Sequence, residues 1–536
     1  MDDHRAALNR PPRWFVALLA MTPVLFIGVL YAWPVSTLLW TTLRRGTSAV
    51  SPFDHVGGVV WFTAWQAAVS TVLTLVVAIV PTYVLARYRF PGRRLLLAAT
   101  TVPFVLPTVV VGAAFIALLP SSWHGTAQAM IVAHVFFNIA VVVRLVGSMI
   151  AVIPHDLVGA ARTLGASPAV AARVIMLPLL RPALWSAAAV IFLFSFTSFG
   201  VAKLLGGPTH PTLEVEIVRR ATQLGDVGGA ATLSLVQLAL LAVVIVWTYR
   251  RQRRSAIELH GATSPHRPRS RRERVMVSGV VVAIAVIVGA PIVALVSRSF
   301  DVGGTWSLSA WTKLGDAEVR PGAGLGVDPI AAVTASLRFA IVAAVIATVV
   351  GFLAATAINT SARLGKLLDV GLMLPLGTSA VTIGLGMLIT FDTPPVDWRA
   401  RWWLVPLGHA LVAVPFVVRA MLSVLRTIPQ DLRAAAATLG ATPIRAWWQV
   451  DGRALRRPLV AGAGFSAAIS LGEFGATTIL TRSGSETLPI AIGRLLGRAG
   501  ALPRAQAFAM ATILLVLSTV IVMASGTHEH LGSDDA

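Results

Sequence analysis

No cysteine occurs among the 536 residues, which excludes disulfides, thiolate metal sites and sulfur redox chemistry. Charge is scarce too: Asp, Glu, Lys and Arg make up 12% of the chain, where a soluble domain carries about a quarter. There are only three lysines, Lys203, Lys313 and Lys366, and none stands in the Gly-x4-Gly-Lys-Ser/Thr context of a phosphate-cradling loop. Any ATP the protein uses must therefore be hydrolysed by a partner, and no cofactor is expected on the chain itself. Gly322, Gly324 and Gly326 imitate a nucleotide loop only superficially, because no strand pattern precedes them; a flexible turn is the simpler reading. No inward-facing set of acids, histidines or nucleophiles stands out, which argues against a membrane-embedded enzyme.

What is abundant is apolar surface, with 56% hydrophobic residues and a mean hydropathy of +0.78. Runs such as Trp14 to Trp40, Val275 to Val296 and Ala507 to Met523 reach or approach the roughly 20 residues that cross about 30 Å of hydrocarbon. The first run is too long for a signal-peptide core and lacks a small-residue cleavage site, so it is expected to remain as a span. Apolar runs divided by charged and Pro/Gly-rich breaks predict spans near 14–41, 59–86, 95–119, 128–152, 183–205 and 228–249. A second set is predicted near 275–299, 330–358, 366–391, 402–425, 457–480 and 504–524. The fold class expected is an all-α membrane protein of about twelve transmembrane helices.

The net charge of +21 does not point to nucleic acid, since the basic residues lie in loops between apolar runs and not on one water-facing surface. They set orientation instead. With the N-terminus inside, 25 Lys and Arg fall in the inner segments and 11 in the outer ones. Both termini are therefore expected on the cytoplasmic side of the cell membrane. The most basic segment, 250–274, reads as an inner linker lying against anionic headgroups.

That linker separates two related halves, 1–249 and 275–536. Residue n set beside n+275 pairs His134 with His409, Arg144 with Arg419, Pro154 with Pro429, Asp156 with Asp431, Gly165 with Gly440, Arg181 with Arg456, Phe199 with Phe474 and Thr212 with Thr487. Six spans return the chain to its starting side, so the repeats are parallel and related by an axis along the membrane normal, with a path between them.

Between the fourth and fifth spans of each half lies a polar stretch, 156–178 in the first and 431–453 in the second. Asp156 suits the start of a short helix, Ala160 and Ala161 allow close approach, and Gly165 suits a left-handed end. A second short helix then runs toward Pro178. The stretch resembles the signature loop of ATP-binding-cassette (ABC) importer permeases, Glu-Ala-Ala, three residues, Gly, nine residues, Ile, one residue, Leu-Pro. The first copy matches it at Ala160, Ala161, Gly165, Ile175, Leu177 and Pro178, with Gly159 where the family has Glu. The second copy has Ala434 at that place, then Ala435, Ala436, Leu439 (the counterpart of Leu164), Gly440 and Val450, and ends on Gly452-Arg453 in place of Leu-Pro. The resemblance implies a fused, two-repeat permease whose two loops each dock a copy of an ABC ATPase, with ATP and Mg bound by that partner. An extracytoplasmic solute-binding protein is implied as well.

Ala133 to Asn138, Ser195 to Gly200, Thr212 to Glu214 and Ser470 to Gly475 resemble the fused permeases for thiamine and for ferric iron, with a lean to thiamine. Glu473, between small residues inside the eleventh predicted span, is the ionisable group best placed to line a solute path, with Ser198 at the matching site of the first half and Phe199 and Phe474 beside them. The alternative for Glu473 is a bracing ion pair with a neighbour such as Arg338. The competing function is a secondary transporter with parallel repeats, driven by an ion gradient; it leaves the paired loops unexplained.

Overall fold

The computed structural model describes residues 13–44, 53–253, 265–315, 328–392, 396–399, 401–482 and 485–526. The glycine cluster at 322–326 and the centre of the basic linker, 254–264, lie outside them. Among the described residues the chain is helical apart from one two-stranded hairpin, Asp301–Val302 paired antiparallel with Thr305–Trp306.

Among the described residues nine helices are long and apolar enough to cross a membrane, or up to eleven if two bent pairs each count as one span, against the twelve expected. The nine are Ala17–Arg44, Val56–Arg87, Ala127–Val152, Ala169–Phe196 and Val227–Thr248, then Arg271–Arg298, Pro329–Thr360, Leu404–Leu425 and Ala501–Ser525. Their outward faces carry exposed Trp61, Val76, Val282, Val293, Ile341 and Val345, an apolar surface that only lipid can cover. Helices satisfy their own backbone groups, which is what makes this surface stable in hydrocarbon.

Four predicted spans depart from straight rods. The segments expected at 95–119 and 366–391 are bent pairs, Arg93–Val105 with Thr108–Leu118 at 102° and Arg363–Gly377 with Ala380–Thr390 at 101°. Each bend has a local cause. Leu106 is extended, as the residue before a proline prefers, and Pro107 precedes the second arm. In the other half the extended Thr378 leads into Ser379, whose hydroxyl accepts from the N–H groups of Val381 and Thr382 and so starts the second arm. The segments expected at 183–205 and 457–480 instead end at Phe196 and Gly472, break, and resume as the six-residue helices Gly200–Leu205 and Gly475–Leu480. Apolarity alone hid these breaks, since every residue of such a bend can be apolar when the protein itself buries it.

The first helix of each half lies against the other half. Phe26 and Ile27 pack with Val350, Val414 and Met421, and Tyr31 donates to or accepts from Thr378 Oγ1 at 2.7 Å. In exchange, Val277, Val280 and Ile284 of Arg271–Arg298 pack with Ala78, Val142 and Ile191. The contacts between helices are lined by small residues such as Ala343, Ala347, Ala354, Ala410 and Ala413, which let backbones approach closely where no hydrophobic effect pulls them together. The linker is pinned as well: Arg89 N–H donates to His266 O and His266 N–H to Arg87 O, with the rings of Tyr88 and His266 5.0 Å apart. Ser270 then starts Arg271–Arg298 with a reciprocal capping box to Glu273.

Candidate functional site

Each signature loop folds as an elbow. The first is the helix His155–Thr163, a turn, the short helix Pro168–Ala171 and a π-helical turn Ala172–Met176 that leads into Leu177–Phe196. The second repeats it: Gln430–Thr438, Pro443–Trp447, Trp448–Gly452 and Arg453–Gly472. Asp156 and Asp431 are each the second residue of their helix and do not precede it as an N-cap would.

Both first helices end alike. Gly165 has φ +87° and Gly440 φ +82°, with Ala166 N–H bonded to Ala161 O and Ala441 N–H to Ala436 O, each at 3.0 Å. This is the left-handed terminus in which the residue after the glycine reaches back to the last turn. A Cβ on either glycine would meet nothing within 4 Å, so backbone conformation alone demands glycine there. Leu164 and Leu439, just before the glycines, are each 88% exposed, the most exposed large apolar side chains in the chain's described residues. Gly159, which replaces the family's Glu, likewise has open space around it. Leu177 is exposed, while Ile175 and Val450 are half-buried in the π-helical turns.

The elbows differ in one respect that the sequence pattern concealed. Arg433 on the second elbow's first helix forms a bidentate ion pair with Asp451 in its π-helical turn, Nε to Oδ2 at 2.8 Å and Nη2 to Oδ1. The Asp451 side chain is fully buried. Val158 and Met176 hold these places in the first elbow. An aspartate in the register of a half-buried methionine, with an arginine 18 residues before it, was the available signal.

The second cluster lies at the breaks in the fifth and eleventh predicted spans. Phe199 and Phe474 are buried and meet across the two halves with ring centroids 5.0 Å apart. A cavity of about 380 Å³ adjoins Phe474 and is lined also by Lys203, Thr478, Thr481 and Arg494. A smaller one, about 140 Å³, opens between Pro107 and Thr108 of the first half and Phe465 and Gly472 of the second.

Glu473 is not inside a helix. It sits in the break and closes the N-terminus of Gly475–Leu480: Oε1 accepts from Ala476 N–H at 3.0 Å, Oε2 from Thr477 N–H at 2.9 Å, and Thr477 Oγ1 lies 2.6 Å from Oε2. His409 joins this group, its Nε2 2.8 Å from Thr477 Oγ1 and its Nδ1 2.7 Å from Ser470 Oγ. The expected partner Arg338 is elsewhere, with its guanidinium 3.8 Å over the Trp402 ring. In the first half Ser198 and Ala202 stand where Glu473 and Thr477 stand, and both are buried. His134 there faces Ser70 Oγ at 3.4 Å, and Asn138 donates to Ser195 Oγ and to His134 O.

One further carboxylate was read in the sequence only as part of the resembling stretch Thr212 to Glu214, without a role of its own. Glu214, at the start of Leu213–Thr222, is fully buried; it accepts from Gln237 Nε2 at 2.5 Å and, across the halves, from Ser379 Oγ at 2.7 Å. Only the bend at Ser379 brings the two together.

A family model described as the binding-protein-dependent transport system inner membrane component matches the chain twice, over residues 78–257 and 347–528. The chain is 26% identical over 534 residues to the thiamine transport system permease protein ThiP of Salmonella typhimurium, covering 94% of this chain and 95% of that one. ThiP of Brucella abortus is 27% identical over 505 residues, 89% of each chain, and the probable ABC transporter permease protein y4fN of Sinorhizobium fredii is 24% identical over 91% of this chain and 93% of its own. With both halves matched, one elbow in each match and the breaks repeated between them, the chain belongs to the family of binding-protein-dependent transport system inner membrane components.

Proposed function

We propose that the chain forms the whole translocation path of an ATP-driven thiamine importer and couples it to two copies of a separate ATPase. The observation that carries this reading is the pair of elbows. Two crests of one shape, each ending in a left-handed glycine beside an almost fully exposed leucine, suit two identical soluble subunits. An ion-gradient transporter would have no use for them.

The excess of basic residues in the segments on the elbow side supports placing the elbows and both termini in the cytoplasm, with the solute-binding protein on the opposite face. Gly159, Ala160, Ala161, Leu164, Gly165, Ile175, Leu177 and Pro178 form the first ATPase contact in this reading, and Ala434, Ala435, Ala436, Leu439, Gly440 and Val450 the second. Phe199 and Phe474 close the path between the halves, while Glu473 and Ser198 flank the closure. Of the two solutes expected, thiamine is the one named in the relatives, and a buried carboxylate beside the path suits its cationic ring.

The test is uptake of labelled thiamine into proteoliposomes holding the permease and its ATPase, with ATP enclosed and the binding protein outside. ATP-dependent accumulation is expected. Accumulation that follows an ion gradient and ignores ATP would contradict the proposal.

A further inference from the structure

Among the described residues, side-chain hydrogen bonds join the two halves at the closure on one side of the pseudo-twofold only. Ser379 performs two tasks at the second half's bend. Its lone pairs take the N–H groups of Val381 and Thr382 at 3.1 and 3.4 Å, which starts Ala380–Thr390, and its proton goes to Glu214 Oε2 in the first half at 2.7 Å. Gln237 fills the other carboxylate oxygen from within the first half. Glu214, Gln237 and Ser379 are all buried, so no water competes for these bonds.

The arms Thr108–Leu118 and Ala380–Thr390 correspond, which puts Pro107 opposite Ser379; the repeat offset puts Pro489 opposite Glu214. Two prolines have no side-chain donor or acceptor, so the symmetric crossing cannot carry such a bond. Across that side the halves meet through packing, as where a Cβ on Gly472 would come 3.1 Å from Pro107. Ala380–Thr390 in turn packs on Gly475–Leu480, the helix whose start Glu473 closes and whose neighbour Phe474 meets Phe199.

We infer that Glu214 and Ser379 form a one-sided latch that holds the two repeats together beside the Phe199–Phe474 closure and must open in every transport cycle. Rocking of one repeat against the other separates groups that lie in different repeats, whereas bonds within a repeat travel with it. Glu214–Ser379 crosses that boundary next to the closure. Glu214 is thus a positioning residue for the conformational step. This rests on the reading of the chain as the permease of an ATP-driven importer.

The absence of cysteine makes a direct test clean. A double variant, Glu214→Cys with Ser379→Cys, carries the only two thiols, and mild oxidation with copper phenanthroline should join them in the permease–ATPase complex. The cross-linked complex should lose ATP hydrolysis and uptake to background, and dithiothreitol should restore both to the level of the unoxidised double variant. Each single variant should be indifferent to the oxidant. Hydrolysis that continues at the unoxidised rate once the thiols have joined would overturn the latch; if the shorter side chains do not meet, the single variant Ser379→Ala decides.

Ser379→Ala gives a second reading that leaves Glu214 in place: solute-independent ATP hydrolysis should rise relative to uptake. An unchanged ratio in an assembled complex would also overturn the latch. Because hydrolysis is scored without thiamine, a wrong solute would appear only in the wild-type uptake control, separately from the latch.

Discussion

The two elbows share a backbone and differ in what holds it. The first retains Leu177-Pro178 at the start of its span but has Val158 and Met176 where the second carries the Arg433–Asp451 pair. The second has lost Leu-Pro and gained a buried ion pair that ties its first helix to its π-helical turn. One elbow shape thus occurs with Leu177-Pro178 in one copy and with an ion pair in the other, so equal shapes do not imply equal tolerance to change.

The largest effect should come from the elbow glycines. Gly165→Val forces a β-branched residue to φ +87°, where the left-handed region costs roughly 1–2 kcal/mol even for an unbranched residue. Uptake should fall to background with loss of ATPase from one elbow, measured by co-purification. Gly165→Asn, which tolerates that conformation, should retain both. Equal loss in Val and Asn would show that side-chain size, not φ, governs the contact, although open space surrounds the site. Gly440→Val should be the milder of the valine changes, since the ion pair still holds the second elbow.

Next in size is the ion pair itself. Asp451→Ala leaves Arg433 half-buried without its partner, and breaking a buried pair costs about 3 kcal/mol locally, less where the arginine can reach water. Hydrogen exchange should quicken across 430–438 and stay unchanged across 155–163. Parallel quickening in both elbows would sink the claim that charge braces only the second.

A smaller effect is expected at Glu473, whose counterpart in the first repeat is Ser198. Glu473→Gln keeps one acceptor for the two N–H groups at the start of Gly475–Leu480, at a local cost of about 1 kcal/mol. Labelled thiamine uptake should drop while ATPase co-purification stays intact. Normal uptake by a normally assembled variant would remove Glu473 from the solute path and leave it a capping residue.

The same contrast marks how far the sequence was legible. The all-α membrane fold, the repeat and both elbow glycines could be read because each leaves a local mark: long apolar runs, a fixed offset, a glycine after a short alanine-rich helix. The right-angle bends at Pro107 and Ser379 left none, since buried bends can be as apolar as straight spans. Glu214 and Asp451 were hidden for another reason. Their partners are Ser379, 165 residues away, which nothing in the local sequence announces, and Arg433, 18 away, marked only by an opposite charge at that spacing. Glu473 was noticed as a carboxylate in an apolar run and misplaced inside a helix for the same reason the bends were missed.

The central claim, that one chain offers two docking elbows, is tested most directly by the mass of the purified complex in native mass spectrometry. The wild-type chain should carry two ATPase copies, and Gly165→Val should carry one. No bound ATPase in the wild type, or two copies still held by the valine variant, would contradict it.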